Sequence, residues 1–166
     1  MKRKLNLILL FFAIIVTGNL FAQNGCKSFA ATVGASTANS KYISVSFETS
    51  SDGYHIFGLS LDGIGYSRNL KKQLDYTVDN HILALGLYYK NKLSSTRNFN
   101  TSFFIGGAGG SDNKSFVYYP FGGFEENFFL SKGLQLTINE KVIYLLGIKH
   151  LNNWQPCLNI GFQFSL

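Results

Sequence analysis

Large apolar residues alternate with small or polar residues along most of the chain. From Leu158 to Leu166 every second residue is large and apolar, and the residues between them are small or polar. Because successive side chains of a β-strand point to opposite faces, this pattern predicts a strand with one apolar and one polar face. The same period recurs in five other segments, whose apolar sides run over Phe29–Ala35, Ile43–Phe47, Phe57–Leu61, Leu83–Tyr89 and Leu134–Ile138.

Two further segments are strand-like but less regular. Asn100–Gly110 is too rich in glycine for its faces to be assigned. Val117–Leu130 contains Pro120 and two adjacent glycines, which predict a kink or a bulge, and its faces also stay open. Together with the six regular segments they give eight strands, and no marked amphipathic helix follows Ala22.

The connections between these strands differ in length. Thr49–Gly53 and Ser131–Gly133 are predicted to be tight turns, with glycine where a positive φ is useful. Ser67–Asn80 and Leu146–Gln155 are predicted to be longer polar loops. Short turns on one rim and longer loops on the other are typical of outer-membrane barrels.

The composition of the polar faces separates a membrane barrel from a soluble one. A soluble barrel such as a lipocalin would turn its polar face to water, where Lys, Glu and Asp are expected. Here the polar faces are mostly small or uncharged, which fits the narrow interior of an eight-stranded barrel. The apolar faces then contact lipid, and strands of about ten residues can cross a membrane. The sequence therefore predicts an all-β fold, an eight-stranded antiparallel up-and-down transmembrane β-barrel.

Several charged and amide side chains lie on the predicted lumenal faces and are assigned a structural role. Glu125 and Lys141 are predicted to pair, because the turn at Ser131–Gly133 brings them to similar depths and an unpaired buried charge is costly. The predicted lumenal polar residues are Glu48, Asp62, Lys90, Glu125, Asn139, Lys141 and Gln163. Aromatic residues near strand ends are expected at the membrane interfaces, namely Tyr42, Tyr54, Tyr66, Tyr88, Tyr89 and Phe128.

The beginning of the chain has the pattern of a secretory signal peptide. Basic residues at Lys2–Lys4 precede the apolar run Leu5–Val16, and Ala22 provides a small residue at the expected cleavage site. We expect residues 1–22 to be a signal peptide and residues 23–166 to be one barrel domain in the outer membrane. A retained anchor is the alternative, although the run is shorter than the about 20 residues of a transmembrane helix.

The net charge and the two cysteines restrict the function classes further. Cleavage would leave twelve basic and nine acidic residues, a net charge of +3, which is too small to indicate direct nucleic-acid binding. Cys26 and Cys157 are predicted not to form a disulfide, because they lie at opposite ends of neighbouring strands, roughly 30 Å apart in level. A lumenal plug that carries Cys26 upward is the alternative.

No motif for catalysis, a metal or a cofactor is present, and the chain is predicted not to be an enzyme. His55, His81 and His150 are scattered and are expected to be surface residues. A lipid-modifying outer-membrane enzyme is the least favoured alternative, since no serine is fixed beside these histidines. Trp154 in the second long loop is a candidate partner contact, and an interface anchor is its alternative role.

The order of several segments resembles the TraO family of Bacteroidetes conjugative transposons. The segments are ILALGLYYKNKLSS, SFFIGGAGG, FGGFEENFFLSKGLQLTINEKVIYLLG and WQPCLNIGFQFSL. The last of them contains Gly161-x-x-Phe164-x-Leu166, which looks like the C-terminal assembly signal of bacterial outer-membrane proteins. The resemblance implies a structural or interaction component of conjugal DNA transfer, with outer-membrane lipid and other conjugation proteins as partners, and it carries over no site residues.

The generic features of the chain are also shared by small barrels of the OmpX-like and PorT-like kinds. The alternative function is therefore a stand-alone OmpX-like barrel for adhesion or surface protection.

Overall fold

Eight β-strands make up the part of the chain that the computed structural model describes, which is residues 26–37, 40–50, 52–69, 77–112, 115–147 and 153–166. These residues contain no helix with the length and apolar character needed to cross a membrane. The predicted signal peptide lies outside them. The strands are β1 (Cys26–Ser36), β2 (Ser40–Ser50), β3 (His55–Asn69), β4 (Thr77–Ser95), β5 (Phe99–Ser111), β6 (Phe116–Ser131), β7 (Leu134–Tyr144) and β8 (Trp154–Ser165).

The strands form a closed antiparallel barrel in which each strand pairs with its neighbours in sequence. β1 closes the barrel by pairing with β8, with Ser28 opposite Ser165 and Ser36 opposite Cys157. Closure matters for a sheet in lipid, because every backbone N–H and C=O group there needs a partner within the sheet. The eight-stranded all-β fold predicted from the alternating pattern is confirmed.

The two ends of the barrel differ in their connections. We call the end at which β1 begins and β8 ends the lower rim, and the opposite end the upper rim. The lower rim carries the turns between β2 and β3, between β4 and β5, and between β6 and β7. Two of these turns were predicted, and in them Gly53 and Gly133 have positive φ angles of 76° and 93°.

Strands at the upper rim extend further than predicted. A loop was predicted over Ser67–Asn80, but β3 continues to Asn69 and pairs there with Thr77 of β4. Likewise β8 begins within the predicted loop Leu146–Gln155. The added ends of β3 and β4 consist mostly of polar residues, so no alternation marks them in the sequence, and their backbones are paired.

The alternating apolar residues face outward, and the polar residues face the lumen. On β8, Leu158, Ile160 and Phe162 are exposed, whereas Asn159 and Gln163 are buried. Every strand contributes exposed large apolar side chains to this outer wall, among them Val33, Ile43, Leu61, Leu87, Ile105, Phe124, Val142 and Ile160. An apolar surface that encircles the molecule is far larger than the exposed apolar patches of soluble proteins, and it fits contact with hydrocarbon.

The structure assigns the faces that the sequence left open in β5 and β6. On β5, Ser102 and Phe104 are buried and Ile105 is exposed. On β6, Glu125 is buried and Phe124 is exposed.

The kink or bulge predicted for Val117–Leu130 does not lie at Pro120. Pairing with β5 is continuous there, with Pro120 opposite Gly107, which has no side chain to contact the proline ring. The register shifts between described strands lie between Lys92 and Ser94 and between Phe129 and Ser131, and the second falls at the end of the predicted segment.

Glycines allow neighbouring strands to approach closely where a side chain would not fit. A Cβ atom on Gly161 would overlap the carbonyl oxygen of Ala31, and one on Gly123 would overlap that of Glu140. Gly107 differs, because the nearest atom to its Cβ position is 3.8 Å away. Glycines at such close contacts, here Gly161 and Gly123, let a sheet bend enough to close into a small barrel.

The turn between β2 and β3 is organised by one carboxylate. Asp52 accepts hydrogen bonds from the backbone N–H groups of His55 at 2.8 Å and Tyr54 at 2.9 Å. These two bonds, that of His55 first, hold the pKa of Asp52 below its ordinary value of 3.8. Hydrogen bonds to the ionised form have this effect because they favour the charged carboxylate.

Asp52→Asn should remove a small acid-dependent part of the stability. The folded-state pKa of Asp52 is depressed, so its contribution is present above the unfolded pKa of about 4 and is lost as the pH falls through the folded pKa. Asparagine can accept the same backbone hydrogen bonds but does not titrate. Urea midpoints at pH 7 and pH 3 should therefore differ less for the variant than for the wild type. An equal difference for both proteins would contradict this assignment.

The register places the two cysteines at opposite ends of the barrel wall. Cys26 is opposite Ser50, near the lower rim, whereas Cys157 is opposite Ser36, near the upper rim. About ten residues of β1 separate these levels, which is roughly 33 Å along the strand. Cys157 is a free thiol whose Sγ lies 3.3 Å from the carbonyl oxygen of Gln155. The predicted absence of a disulfide can be tested by mass spectrometry of the non-reduced protein.

Candidate functional site

Three charged side chains from three strands meet across the lumen. Lys90 of β4 forms ion pairs with Glu48 of β2 and with Glu125 of β6, the latter at 2.5 Å. The side chains of Lys90, Glu48 and Glu125 are only 2%, 3% and 8% exposed. We call these residues the lumenal triad. Alternation places all three on inward faces, and closure of the barrel brings the non-adjacent strands together.

Neutral side chains complete the hydrogen bonding of the two carboxylates. Tyr88 donates to Glu48 at 2.6 Å, and Gln163 donates to the other oxygen of Glu48 at 2.8 Å. Asn127 donates to Glu125 at 2.8 Å. A buried charge is stable only when it is both paired and hydrogen-bonded, and the lumenal triad meets both conditions.

A second polar cluster lies nearer the upper rim. Asp62 accepts hydrogen bonds from Ser44 at 2.6 Å and from Tyr119 at 2.8 Å. The ammonium group of Lys141 donates to the hydroxyl of Tyr42 and lies 3.7 Å from the centroid of that ring. A cation over an aromatic face is attracted by the ring quadrupole, so the ring compensates part of the lysine's lost hydration.

All seven predicted lumenal residues lie inside the barrel. Six of them are buried, and Asn139, which is partly buried, has its side-chain amide nitrogen 3.4 Å from Glu125. The predicted pairing of Glu125 with Lys141 is wrong, since Glu125 pairs with Lys90. Asn139 stands directly opposite Glu125 in the register, so Lys141 is two residues nearer the upper rim, where it reaches Tyr42.

Three tyrosines were wrongly predicted to lie at the membrane interfaces. Tyr42 and Tyr66 are 3% and 6% exposed, and Tyr88 packs in the lumen against Phe104 and Phe121. The sequence signal that identifies them is an even spacing along the strand from a lumenal residue. Tyr42 is on the same face of β2 as Glu48, and Tyr88 is on the same face of β4 as Lys90. Position near a strand end was the weaker criterion.

Side chains fill most of the lumen. A cavity of about 190 Å³ opens near the lower rim, and a smaller one of about 40 Å³ lies deeper, lined by Asp62 and Lys141 among others. The two cavities share no lining residue, and the lumenal triad contributes to the linings of both. Toward the upper rim the interior is closed by buried apolar and aromatic side chains, which include Tyr42, Ile64, Tyr66, Ile82, Val117, Tyr119, Ile143 and Leu145.

Two of the three histidines lie at the surface. His55 is exposed in the lower rim, where its Nδ1 is 2.5 Å from the hydroxyl of Tyr89, and His81 is exposed on β4. His150 lies outside the described residues. Within the described ranges no group of three or more His, Cys, Asp or Glu side chains could hold a metal ion.

Trp154 lies on the outer wall at the start of β8 rather than in a loop. Its ring packs against that of Tyr144, with the centroids 4.9 Å apart, and it is 60% exposed. Tryptophan and tyrosine at this position are typical of the aromatic girdle at a membrane interface.

Comparisons with known proteins bear on the fold. No protein-family model and no curated protein sequence matches the chain. A de novo designed transmembrane β-barrel is similar over 87% of this chain and 98% of its own, with a TM-score of 0.59 and 14% identity. The N-terminal β-barrel domain of Pseudomonas aeruginosa OprF is similar over 86% of this chain and 98% of its own, with a TM-score of 0.61 and 10% identity.

A third similar structure is Ail, the attachment invasion locus protein of Yersinia pestis, solved with the heparin analogue sucrose octasulfate. It is similar over 87% of this chain and 100% of its own, with a TM-score of 0.54 and 7% identity. Likeness at these identities shows the fold alone. The chain is therefore an eight-stranded transmembrane β-barrel of the kind found among outer-membrane proteins.

Proposed function

We propose that the chain is an integral outer-membrane protein with a structural or interaction role rather than a transport or enzymatic one. The observation that carries this proposal is the filled lumen. The lumenal triad crosses the interior, and aromatic and apolar side chains occupy the space toward the upper rim. An outer wall committed to lipid and a lumen committed to packing leave the rims and selected wall positions for contact with partners.

We further propose that its partners are other proteins of a conjugative DNA-transfer apparatus. This proposal rests on the resemblance of four sequence segments to the TraO family. Direct contact with DNA is not part of it, because a net charge of +3 after signal cleavage provides too weak an electrostatic attraction.

A stand-alone barrel for adhesion or surface protection is the second candidate. It is favoured by the likeness to Ail, whose name refers to attachment. It is also favoured by the paired ends of β3 and β4, which continue to Asn69 and Thr77 although β2 pairs with β3 only as far as Tyr66. A hairpin that extends past the rest of the wall could meet a surface outside the membrane.

A deletion of the gene distinguishes the two candidates. The first predicts that deletion lowers the frequency of conjugal transfer and that the wild-type chain supplied in trans restores it. Unchanged transfer together with reduced attachment to surfaces would reject the first candidate and support the second. Transfer genes flanking this one would agree with the first.

The membrane location is tested separately by fractionation. The protein should stay in the outer-membrane fraction after a carbonate wash, and its gel mobility should change on heating, as folded barrels do. The mature chain should begin at Gln23. Recovery in the soluble periplasmic fraction would reject the proposed location.

A further inference from the structure

Two carboxylates lie on the outer wall, where the other strands present apolar side chains. Of the acidic side chains that the structure describes, Glu126 of β6 and Glu140 of β7 are the two that point outward from the strands. Glu140 stands opposite Phe124 on one side and Leu158 on the other, and both of these are exposed.

The depth of Glu140 places it within the apolar band. Along β7 it is six residues from Leu134 at the lower rim and four residues from Tyr144, whose contact with Trp154 marks the upper interface. Four residues span about 13 Å along the strand, or about 10 Å along the barrel axis after strand tilt. The apolar band of such barrels is about 25 Å tall, so the Glu140 carboxyl faces its interior.

Neither carboxyl has a partner among the described residues, in contrast to the saturated carboxylates of the lumen. Glu126 stands opposite Ile138, and Glu140 stands opposite Phe124. The two glutamates are therefore diagonal neighbours on the sheet, a position in which Cα atoms are about 7–8 Å apart. In hydrocarbon a carboxyl group loses its hydrogen bonds whether it is charged or protonated. Two such groups at neighbouring positions of an otherwise apolar wall destabilise the isolated barrel.

A groove runs beside Glu140 on the same wall. Its volume is about 780 Å³, and its lining includes Gly122, Phe103, Val142, Leu158 and Glu140 itself. Gly122 lies on the outward face of β6, as Phe124 does, and has no side chain, so side chains of another molecule can approach the backbone closely there. A molecule that fits this groove therefore needs apolar groups for its lining and a cationic or hydrogen-bonding group for the carboxyl at its edge.

We propose that this surface docks a second, different membrane-embedded protein that presents an arginine or lysine side chain to Glu126 and Glu140 and apolar side chains to the groove. Charge complementarity selects this occupant. A single guanidinium group can bridge two carboxylates at this spacing. The proposal rests on the outer-membrane location proposed above and specifies the surface through which the barrel acts.

Among the side chains that the structure describes, a second copy of this chain presents no cation on its outer wall at the level of Glu126 and Glu140. The described lysine and arginine side chains lie in the lumen, at strand ends or in turns, namely Lys27, Lys41, Lys90, Lys92, Arg97, Lys132 and Lys141. A symmetric dimer through this surface would instead bring the carboxylates of both copies together, since a two-fold interface uses the same patch twice.

Site-specific photo-crosslinking in the native host tests the proposal. A benzoylphenylalanine at Val142, beside Glu140, should crosslink the full chain to one membrane protein, whereas the same probe at Leu87 on β4 should not. Adding Glu126→Gln and Glu140→Gln should lower the Val142 crosslink about tenfold, equivalent to about 1.4 kcal/mol. Glu140→Lys should abolish the crosslink, and a basic-to-acidic exchange on the partner, once identified by mass spectrometry, should restore it.

Three other outcomes would overturn the proposal. A product of twice the monomer mass would identify a second copy of the chain, and crosslinks to lipid alone would show that no protein occupies this surface. A crosslink whose yield is unchanged by the two Glu-to-Gln substitutions would show that charge does not select the partner. Heat-modifiable gel mobility of each variant shows that it is a folded barrel. If the variants are folded but no crosslink forms, this proposal fails while the outer-membrane location stands.

The purified barrel gives an independent measurement. In lipid vesicles without a partner, Glu140→Leu should raise the urea midpoint of unfolding, because an apolar side chain replaces an uncompensated carboxyl group. The matched exchange Val142→Leu, on the same face of β7, should leave the midpoint nearly unchanged. A lower midpoint for Glu140→Leu would show that Glu140 stabilises the isolated chain and would overturn the proposal.

Discussion

Replacing Lys90 by methionine should lower the free energy of unfolding by about 3–5 kcal/mol. Lys90 is the only cation of the lumenal triad, and without it Glu48 and Glu125 remain buried with no opposite charge beside them. Methionine has a similar length and no charge, so the loss reports the missing ion pairs rather than a cavity. The effect is large because the two carboxylates are almost fully buried, so water cannot replace the lost ion pairs.

Equilibrium unfolding by urea in lipid vesicles is the measurement. Lys92→Met is the matched control, because Lys92 lies on the same strand beside the larger cavity and is partly exposed. It should cost less than about 1 kcal/mol. Glu48→Gln and Glu125→Gln, added to Lys90→Met, should recover most of the lost stability. Equal losses for Lys90→Met and Lys92→Met would show that the triad contributes no more than a rim charge.

Gly161→Ala should destabilise the closed barrel. The added Cβ atom overlaps the carbonyl oxygen of Ala31 on β1, so β1 and β8 cannot keep their register without moving apart. Overpacking of this kind usually costs about 1–3 kcal/mol, and more where backbone must move. The ratio of folded to unfolded protein should fall about tenfold or more, which corresponds to at least about 1.4 kcal/mol.

Refolding of purified protein into detergent or lipid, followed by gel mobility with and without heating, measures the folded fraction. Assembly factors are absent from such an experiment, so an effect on folding is separated from an effect on the C-terminal assembly signal. Gly107→Ala is the control, because its Cβ position has 3.8 Å of clearance. Normal refolding of Gly161→Ala would mean that the close approach of β1 and β8 is not required for closure.

The fold could be predicted because barrel strands encode their two faces directly in sequence. A residue such as Ile160 must contact lipid and its neighbour Asn159 must fit the lumen, so the sequence keeps a clear period of two in six of the eight strands. Where that constraint weakens, the pattern weakens too. The glycines of β5 have no side chain to mark a face, and the polar ends of β3 and β4 carry no apolar stripe.

The contacts inside the lumen could be predicted only in part. The alternating pattern placed Glu48 and Lys90 on the inner face and left the face of Glu125 open, and it does not say which side chains meet. Lys90 reaches across to β2 and β6, which are not its neighbours in the sheet, and this contact depends on the diameter and stagger of the closed barrel. Sequence reasoning considered adjacent strands alone and therefore paired Glu125 with Lys141.

Lipid contact of the outer wall is tested most directly by single cysteines in β8 at Leu158, Asn159, Ile160, Phe162 and Gln163, with Cys26 and Cys157 replaced by serine. Each single cysteine carries a spin label in the protein reconstituted in lipid vesicles. Labels at Leu158, Ile160 and Phe162 should be accessible to oxygen dissolved in the bilayer and shielded from a water-soluble nickel reagent. Labels at Asn159 and Gln163 should be immobilised and shielded from oxygen. Access of the nickel reagent to positions 158, 160 and 162 would show that this wall faces water, and would contradict a membrane-spanning barrel.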